Sequence, residues 1–309
     1  MIGLAPPAES APLIRHVTAL DAREELLTVY SPAMARDITV HVHRAAKPGA
    51  PVLYLLTGSS GGVDGAQWRT KTDALVFLAD KHVNVVSPIG GEFSYYTDWR
   101  HPDPRLGVNK WKTFLTAELP PLLNSHLQAN GRNAIAGLSM SGTSALALAI
   151  AAPGLYRAAA SYSGCVQTSD PVGQQFVRLT VETWGLGNTV NMYGPPSDPM
   201  WAANDPIVHA AGLRGVALYV SAGNGLPGRY DIYNGAYSLP GPWGMANQLV
   251  LGGGIEAATN MCAHYLKQRL DGLGIPATYN FRPNGTHTWG YWQDDLKRSW
   301  PVLAGALGI

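Results

Sequence analysis

The sequence predicts an α/β fold, a mostly parallel sheet covered by helices on both faces. Three observations predict it. Short apolar, β-branched-rich segments recur along the chain, segments of helical character lie between them, and no internal repeat or heptad run imposes another architecture.

The first strand pair is expected at residues 26–30 (LLTVY) and 37–43 (DITVHVH), an antiparallel hairpin at the sheet edge whose turn is supplied by Ser31-Pro32. Six buried strands are expected at 52–56, 83–86, 133–138, 158–162, 216–220 and 277–281. Helices are expected at 140–151 and 256–270. Residues 224–255 are rich in Gly, Pro and aromatics. A loop of that length inside a compact domain is usually functional, and its apolar content argues against disorder, so it reads as a lid-like cover over a substrate site. Residues 1–12 are expected to be a flexible tail and 13–309 a single domain, since 309 residues are compatible with one large core.

Composition narrows the function. Charged residues make up 14% of the chain, against roughly 25% in ordinary globular proteins, and the net charge is +1. No basic cluster is present to neutralise phosphates, which argues against a nucleic-acid partner. No run of about 18 apolar residues could span a bilayer. The opening MIGLAPPAES lacks the basic and apolar regions of a signal peptide, and a mature secreted protein would start in the same way. The two cysteines, Cys165 and Cys262, permit a disulfide without requiring one. No Cys/His spacing resembles a zinc site, so neither metal nor cofactor is expected.

The strongest local signal is Gly137-Leu138-Ser139-Met140-Ser141-Gly142, between an apolar strand and a helical segment. That is the context of a nucleophile elbow, and it sharpens the fold to the α/β-hydrolase type. Ser141 stands where G-x-S-x-G has its second glycine, a small residue that still meets the steric need. With Ser139 as nucleophile, the base should follow the last strand, and His287 in Asn284-Gly285-Thr286-His287-Thr288-Trp289 is the histidine so placed. Asp231, Glu256 and Asp271 are all candidates for the acid that orients His287. Position alone slightly favours Asp231. The oxyanion donors are expected from the N–H of Met140 and from the small-residue loop Thr57-Gly58-Ser59-Ser60-Gly61-Gly62.

These residues and several longer strings resemble the mycolyltransferases of the antigen 85 type, including their corynebacterial relatives. The likeness covers Ser31-Pro32-Ala33-Met34-Ala35-Arg36-Asp37-Ile38, Tyr96-Thr97-Asp98-Trp99, Lys112-Thr113-Phe114-Leu115-Thr116-Ala117-Glu118-Leu119-Pro120 and Phe281-Arg282-Pro283-Asn284-Gly285-Thr286-His287-Thr288-Trp289. The resemblance implies a secreted or cell-envelope enzyme at the mycomembrane surface. It would be a monomeric serine acyltransferase with esterase side activity, moving a mycolic or corynomycolic chain from trehalose monomycolate to a sugar or protein hydroxyl. It assigns the acid to Glu256 in place of Asp231, the oxyanion donors to the amides of Ser59 and Met140, and substrate contacts to Thr57, Ser60 and Trp289. Secretion would favour a Cys165–Cys262 bridge.

Two departures bear on substrate. Trehalose-acylating members of the family carry Leu-Leu-Asp-Gly-Leu-Arg after the strand. Here Leu55-Leu56-Thr57-Gly58-Ser59-Ser60 lacks both charged groups, which makes an acceptor other than trehalose, on arabinogalactan or an envelope protein, the expectation. The family's paired cysteines are also absent around residues 101–110. A plain carboxylesterase and a non-catalytic binding member of the family are the competing readings.

Overall fold

The computed structural model describes residues 11–309, so most of the expected tail lies outside the described residues. The strands are β1 (Leu13–Ala19), β2 (Glu24–Ser31), β3 (Arg36–His43), β4 (Val52–Leu56), β5 (Asn84–Ile89), β6 (Asn133–Leu138), β7 (Tyr156–Tyr162), β8 (Ala217–Gly223) and β9 (Thr278–Arg282). Among the described residues they form one sheet in the order β1-β2-β3-β5-β4-β6-β7-β8-β9. The first three strands and their junction with β5 are antiparallel, and every pair from β5 to β9 is parallel. This is the α/β-hydrolase arrangement.

Alternating residues of the central strands feed two cores, one on each face. Val52, Tyr54, Leu56, Ile135 and Val220 face one side; Leu53, Leu55, Ala134, Ala136 and Tyr219 face the other. The main covering helices are α1 (Leu119–His126), α2 (Met140–Ala151), α3 (Gly253–Gly272) and α4 (Trp289–Leu307). Side chains of α1, α2 and α3 join the first core, and Trp292, Leu296, Leu303 and Leu307 of α4 join the second.

Three expectations change. The hairpin β2–β3 is present, but β1 pairs outside it, so the hairpin is not the edge. Only Leu13 and Ile14 of β1 are even partly buried, which is why its sequence carries no apolar alternation. The hairpin turn also depends on a distant carboxylate, because Glu118 accepts from Ser31 Oγ at 2.6 Å and Ala33 N at 2.9 Å.

The segment 224–255 is not one loop. Residues 224–240 are irregular, Gly241–Asn247 is helical, and Gln248–Gly252 forms a π-helical turn that runs straight into α3. Glu256 therefore lies inside a continuous helical stretch rather than opening a helix. Its carboxylate is not there to complement a helix N-terminus.

Candidate active site

Four segments converge at the C-terminal ends of the parallel strands. The first is the turn from β6 into α2. Ser139 has φ 54° and ψ −125°, a strained conformation for a residue with a side chain. The turn is tight enough that a Cβ on Gly137 would lie 2.2 Å from Ser141 O. Ser141 explains its own departure from the glycine pattern. Its hydroxyl accepts from Leu138 N at 2.9 Å and donates to Leu138 O at 3.0 Å, so it closes the elbow from inside. Met140 is the first residue of α2, and its N–H has no partner within the helix.

The second segment follows β4. A Cβ built on Gly58 would lie 3.8 Å from Ser139 Cβ, which places this loop against the elbow. Its path is fixed by Gly61 N donating to Gly58 O at 3.1 Å and Phe93 N donating to Ser59 O at 2.7 Å. The loop thus lies against the elbow at Gly58, and the N–H of Met140 opens α2 directly after Ser139. Neighbouring Thr57 is buried, with Oγ1 3.4 Å from Tyr96 Oη, and Ser60 donates to Asp64 at 2.9 Å.

The third and fourth segments supply His287 and Glu256. His287 sits on the turn between β9 and α4, where its N–H donates to Gly252 O at 3.2 Å, at the end of the π-helical turn. Such turns recur at functional sites because their wider spacing frees backbone groups for other partners. His287 Nδ1 lies 2.8 Å from Glu256 Oε2, and its ring packs edge-on against Trp292 with centroids 4.9 Å apart. Nε2 is buried and makes no hydrogen bond, to Ser139 or to any other described residue. An unliganded hydrolase often leaves this contact loose.

Glu256 is 0% exposed and fully engaged. Besides His287, it accepts from Ser163 Oγ at 2.7 Å, Gly223 N at 2.6 Å and Arg282 Nη2 at 2.9 Å. Ser163 in turn accepts from Trp292 Nε1 at 3.0 Å. Gly223 must be glycine here, since a Cβ would come within 2.7 Å of Gly285 O in the His287 turn. The Cys165–Cys262 disulfide is formed. It joins the loop after β7, which carries Ser163, to α3, which carries Glu256. Cys165 lies beyond the end of β7 rather than on it.

Asp231, which strand position slightly favoured as the acid, is elsewhere. It accepts from Gly228 N at 2.8 Å, Gln248 Nε2 at 2.7 Å and Tyr291 Oη at 2.7 Å, and it bonds Thr286 Oγ1. It ties the irregular segment 224–240 to the His287 turn. Asp271 is at the far end of α3, paired with Lys267.

An apolar cleft beside Ser139 is lined by Tyr95, Phe176, Leu179, Trp184 and Ile255. Burial pushes the Tyr95 phenol up to about 12, so it is a neutral wall at physiological pH. On the His287 side Leu239, Leu251, Trp289 and Trp292 line a second cleft. Another cavity, bordered by Lys112, Asn204 and His209, shares Tyr95 and Thr143 with the first cleft but reaches neither Ser139 nor His287. Among the described residues no cluster of three His, Cys, Asp or Glu is arranged to hold a metal ion.

Sequence reasoning missed Ser163, Trp292, Arg282 and Asp295. Arg282 carried a signal, a cation closing an otherwise uncharged strand. Ser163 carried none.

Comparison with known proteins shows the family and the fold. Residues 31–302 match the esterase family described as "Putative esterase". The chain is 35% identical over 290 residues to diacylglycerol acyltransferase/mycolyltransferase Ag85A of Mycobacterium leprae, covering 92% of this chain and 83% of that one. The chain belongs to the antigen 85-type mycolyltransferase family. Another member, Ag85B of Mycobacterium avium, is 34% identical over 292 residues, with 92% and 83% coverage. Mycobacterium tuberculosis MPT51 (FbpC1) superposes with a TM-score of 0.76 at 28% identity, covering 93% of this chain and all of that one. An S-formylglutathione hydrolase from Agrobacterium tumefaciens, 16% identical with a TM-score of 0.67 over 95% of this chain and 99% of its own, shares the fold.

Proposed function

We propose that this family member is a serine acyltransferase that carries an acyl chain from a mycolate ester to a hydroxyl acceptor through Ser139. The observation that carries the proposal is the His287–Glu256 pair. It orients the imidazole through Nδ1 and leaves Nε2 buried and unpartnered, ready to take a proton.

In the proposed reaction His287 accepts the Ser139 proton as Oγ attacks the ester carbonyl of trehalose monomycolate. The amides of Ser59 and Met140 stabilise the oxyanion, and His287 returns the proton to the departing trehalose oxygen. An acceptor hydroxyl then attacks the acyl-enzyme, with His287 again the base. The apolar cleft beside Ser139 suits the acyl chain.

Two features support an acceptor other than trehalose. Thr57 is buried against Tyr96 and Ser60 is held by Asp64, so neither offers a charged group to a sugar. Residues 232–255 contain no charged side chain, and Ile232, Leu239, Trp243, Val250 and Leu251 stand exposed on them. That surface supports seating at a lipid-rich envelope, with 224–255 covering the site against water. No helix among the described residues is long and apolar enough to cross a membrane.

The test offers trehalose monomycolate with trehalose, an arabinan fragment or a serine-bearing envelope peptide. Acylated arabinan or peptide is the expected product. Free mycolic acid as the sole product with every acceptor would make the protein an esterase. Failure of a fluorophosphonate to label Ser139 would make it a binding member of the family.

A further inference from the structure

The buried charges of the site do not end at Glu256. Arg282 closes β9 and turns its guanidinium inward beneath the His287 turn. Nη2 donates to Glu256 Oε1 at 2.9 Å, and Nη1 donates to Asp295 of α4. Both carboxylates are 0% exposed. Asp295 also accepts from Asn280 Nδ2 at 2.8 Å and Tyr219 Oη at 3.5 Å, so its oxygens meet donors, as an ionised carboxylate requires. Burial pushes the Asp295 carboxyl above its ordinary range, and Arg282 is the strongest counterweight. The result is a line of charges from four segments, Asp295–Arg282–Glu256–His287, alternating in sign when His287 carries its catalytic proton.

A buried ion pair is a costly way to obtain stability, because desolvation consumes most of the Coulombic gain. Its place directly behind the Glu256–His287 pair suggests another use. We propose that Arg282 is a positioning residue of the catalytic site and that Asp295 and Arg282 together set the pH range in which His287 acts as a base. The proposal rests on the Ser139–His287–Glu256 reading above.

The two residues should act in opposite directions. Without Arg282, two buried carboxylates face each other with no cation between them and favour uptake of a proton, which disarms Glu256. Where Glu256 stays ionised, loss of the neighbouring cation lets it hold the imidazolium more strongly. Both effects delay the onset of base catalysis to higher pH. Without the Asp295 charge, Arg282 opposes Glu256 alone and the imidazolium is held less strongly, so catalysis begins at lower pH. Other titratable groups facing the line are Tyr219 on β8, Tyr162 on β7, Tyr291 and Arg298 on α4, and Asp231, which bonds Tyr291 and Thr286 beside His287 and stays in place in every variant. The tyrosines among them are pushed up by burial and stay neutral over the working range. Tyr291 also lies 5.2 Å from the guanidinium across its ring.

The experiment measures kcat/KM for hydrolysis of p-nitrophenyl butyrate from about pH 4 to 9. The proteins are wild type, R282M, R282K, D295N and S139A, each checked for folding by circular dichroism. The acid limb is expected to move up by about one pH unit in R282M, down in D295N, and to stay near wild type in R282K, which keeps the charge. A purely structural pair would lower rates or melting temperatures without opposite shifts. Coincident limbs in D295N and wild type, or shifts of the same sign in R282M and D295N, overturn the proposal. If R282M does not fold, D295N and R282K still decide it. Undiminished activity in S139A would instead overturn the underlying site, which keeps the two failures distinct.

Discussion

At the scale of single residues, backbone geometry and buried polar contacts carry the site. Gly137 has no room for a methyl group, because its neighbour across the elbow is a carbonyl oxygen rather than a mobile side chain. G137A should therefore push the start of α2 away from β6. We expect activity to fall at least about 100-fold and stability by about 2–3 kcal/mol, read from ester hydrolysis and urea denaturation. Asp103 shows what a buried carboxylate does away from the site. Burial would raise its protonation range, but hydrogen bonds from Asn191 Nδ2 at 2.9 Å, Leu106 N at 3.0 Å, Arg105 N at 2.9 Å and Asn188 N at 3.0 Å hold it below the usual carboxylate value. A carboxyl lowered on folding contributes stability that is present above the unfolded value near 4 and is lost as pH falls through the folded value. D103N should cost about 1–3 kcal/mol at neutral pH, and the gap to wild type should close as pH falls through the lowered value of the folded carboxyl. Urea midpoints at neutral and acid pH check it.

At the scale of elements, the site depends on how α3 is held. The helix carries Glu256 on one face and Cys262 nearly two turns later, and the disulfide joins it to the loop that carries Ser163. The bridge closes a sequence separation of 97, so its loss should cost about 2–4 kcal/mol. C165S/C262S is expected to melt at lower temperature and also to lose kcat, because Ser163 and Glu256 would no longer be clamped at 2.7 Å. Melting curves and kcat, with and without reductant on the wild type, test both parts. The π-helical turn Gln248–Gly252 acts from the other end, offering Gly252 O to the His287 N–H.

At the scale of the molecule, residues 224–240 have no regular structure of their own and are held against the His287 turn by side chains and crossing backbone bonds. Gly225 N donates to Gly285 O at 3.1 Å, Gly285 N to Leu226 O at 2.6 Å and Thr288 Oγ1 to Tyr237 O at 2.8 Å. Asp231 is the polar centre of that attachment. D231A should loosen the cover while the sheet and its two cores stay intact. Limited proteolysis should cut within 224–240, and the ratio of free acid to transferred acyl chain should rise. An unchanged ratio would show that this segment does not exclude water.

The sequence by itself determined the parallel sheet, the elbow at Ser139 and the placing of His287 after the last strand. These are local properties. A strand buried on both faces must be apolar throughout, and a strained turn admits only small residues beside Ser139. The helix α4 escaped because its polar, aromatic-rich start, Trp289-Gly290-Tyr291-Trp292-Gln293-Asp294, has no clear helical period, and β1 escaped because it lies nearly bare at the edge. Position alone left the acid open and the family resemblance assigned it to Glu256; the tertiary structure brings Glu256 to His287, because Asp231 and Glu256 are equivalent as chemistry and differ only in where their backbones run. It also decided the partners of Arg282, and it closed the cysteine bridge that secretion favours. Each of those contacts joins residues far apart in the chain, and only the sheet's order brings their elements together.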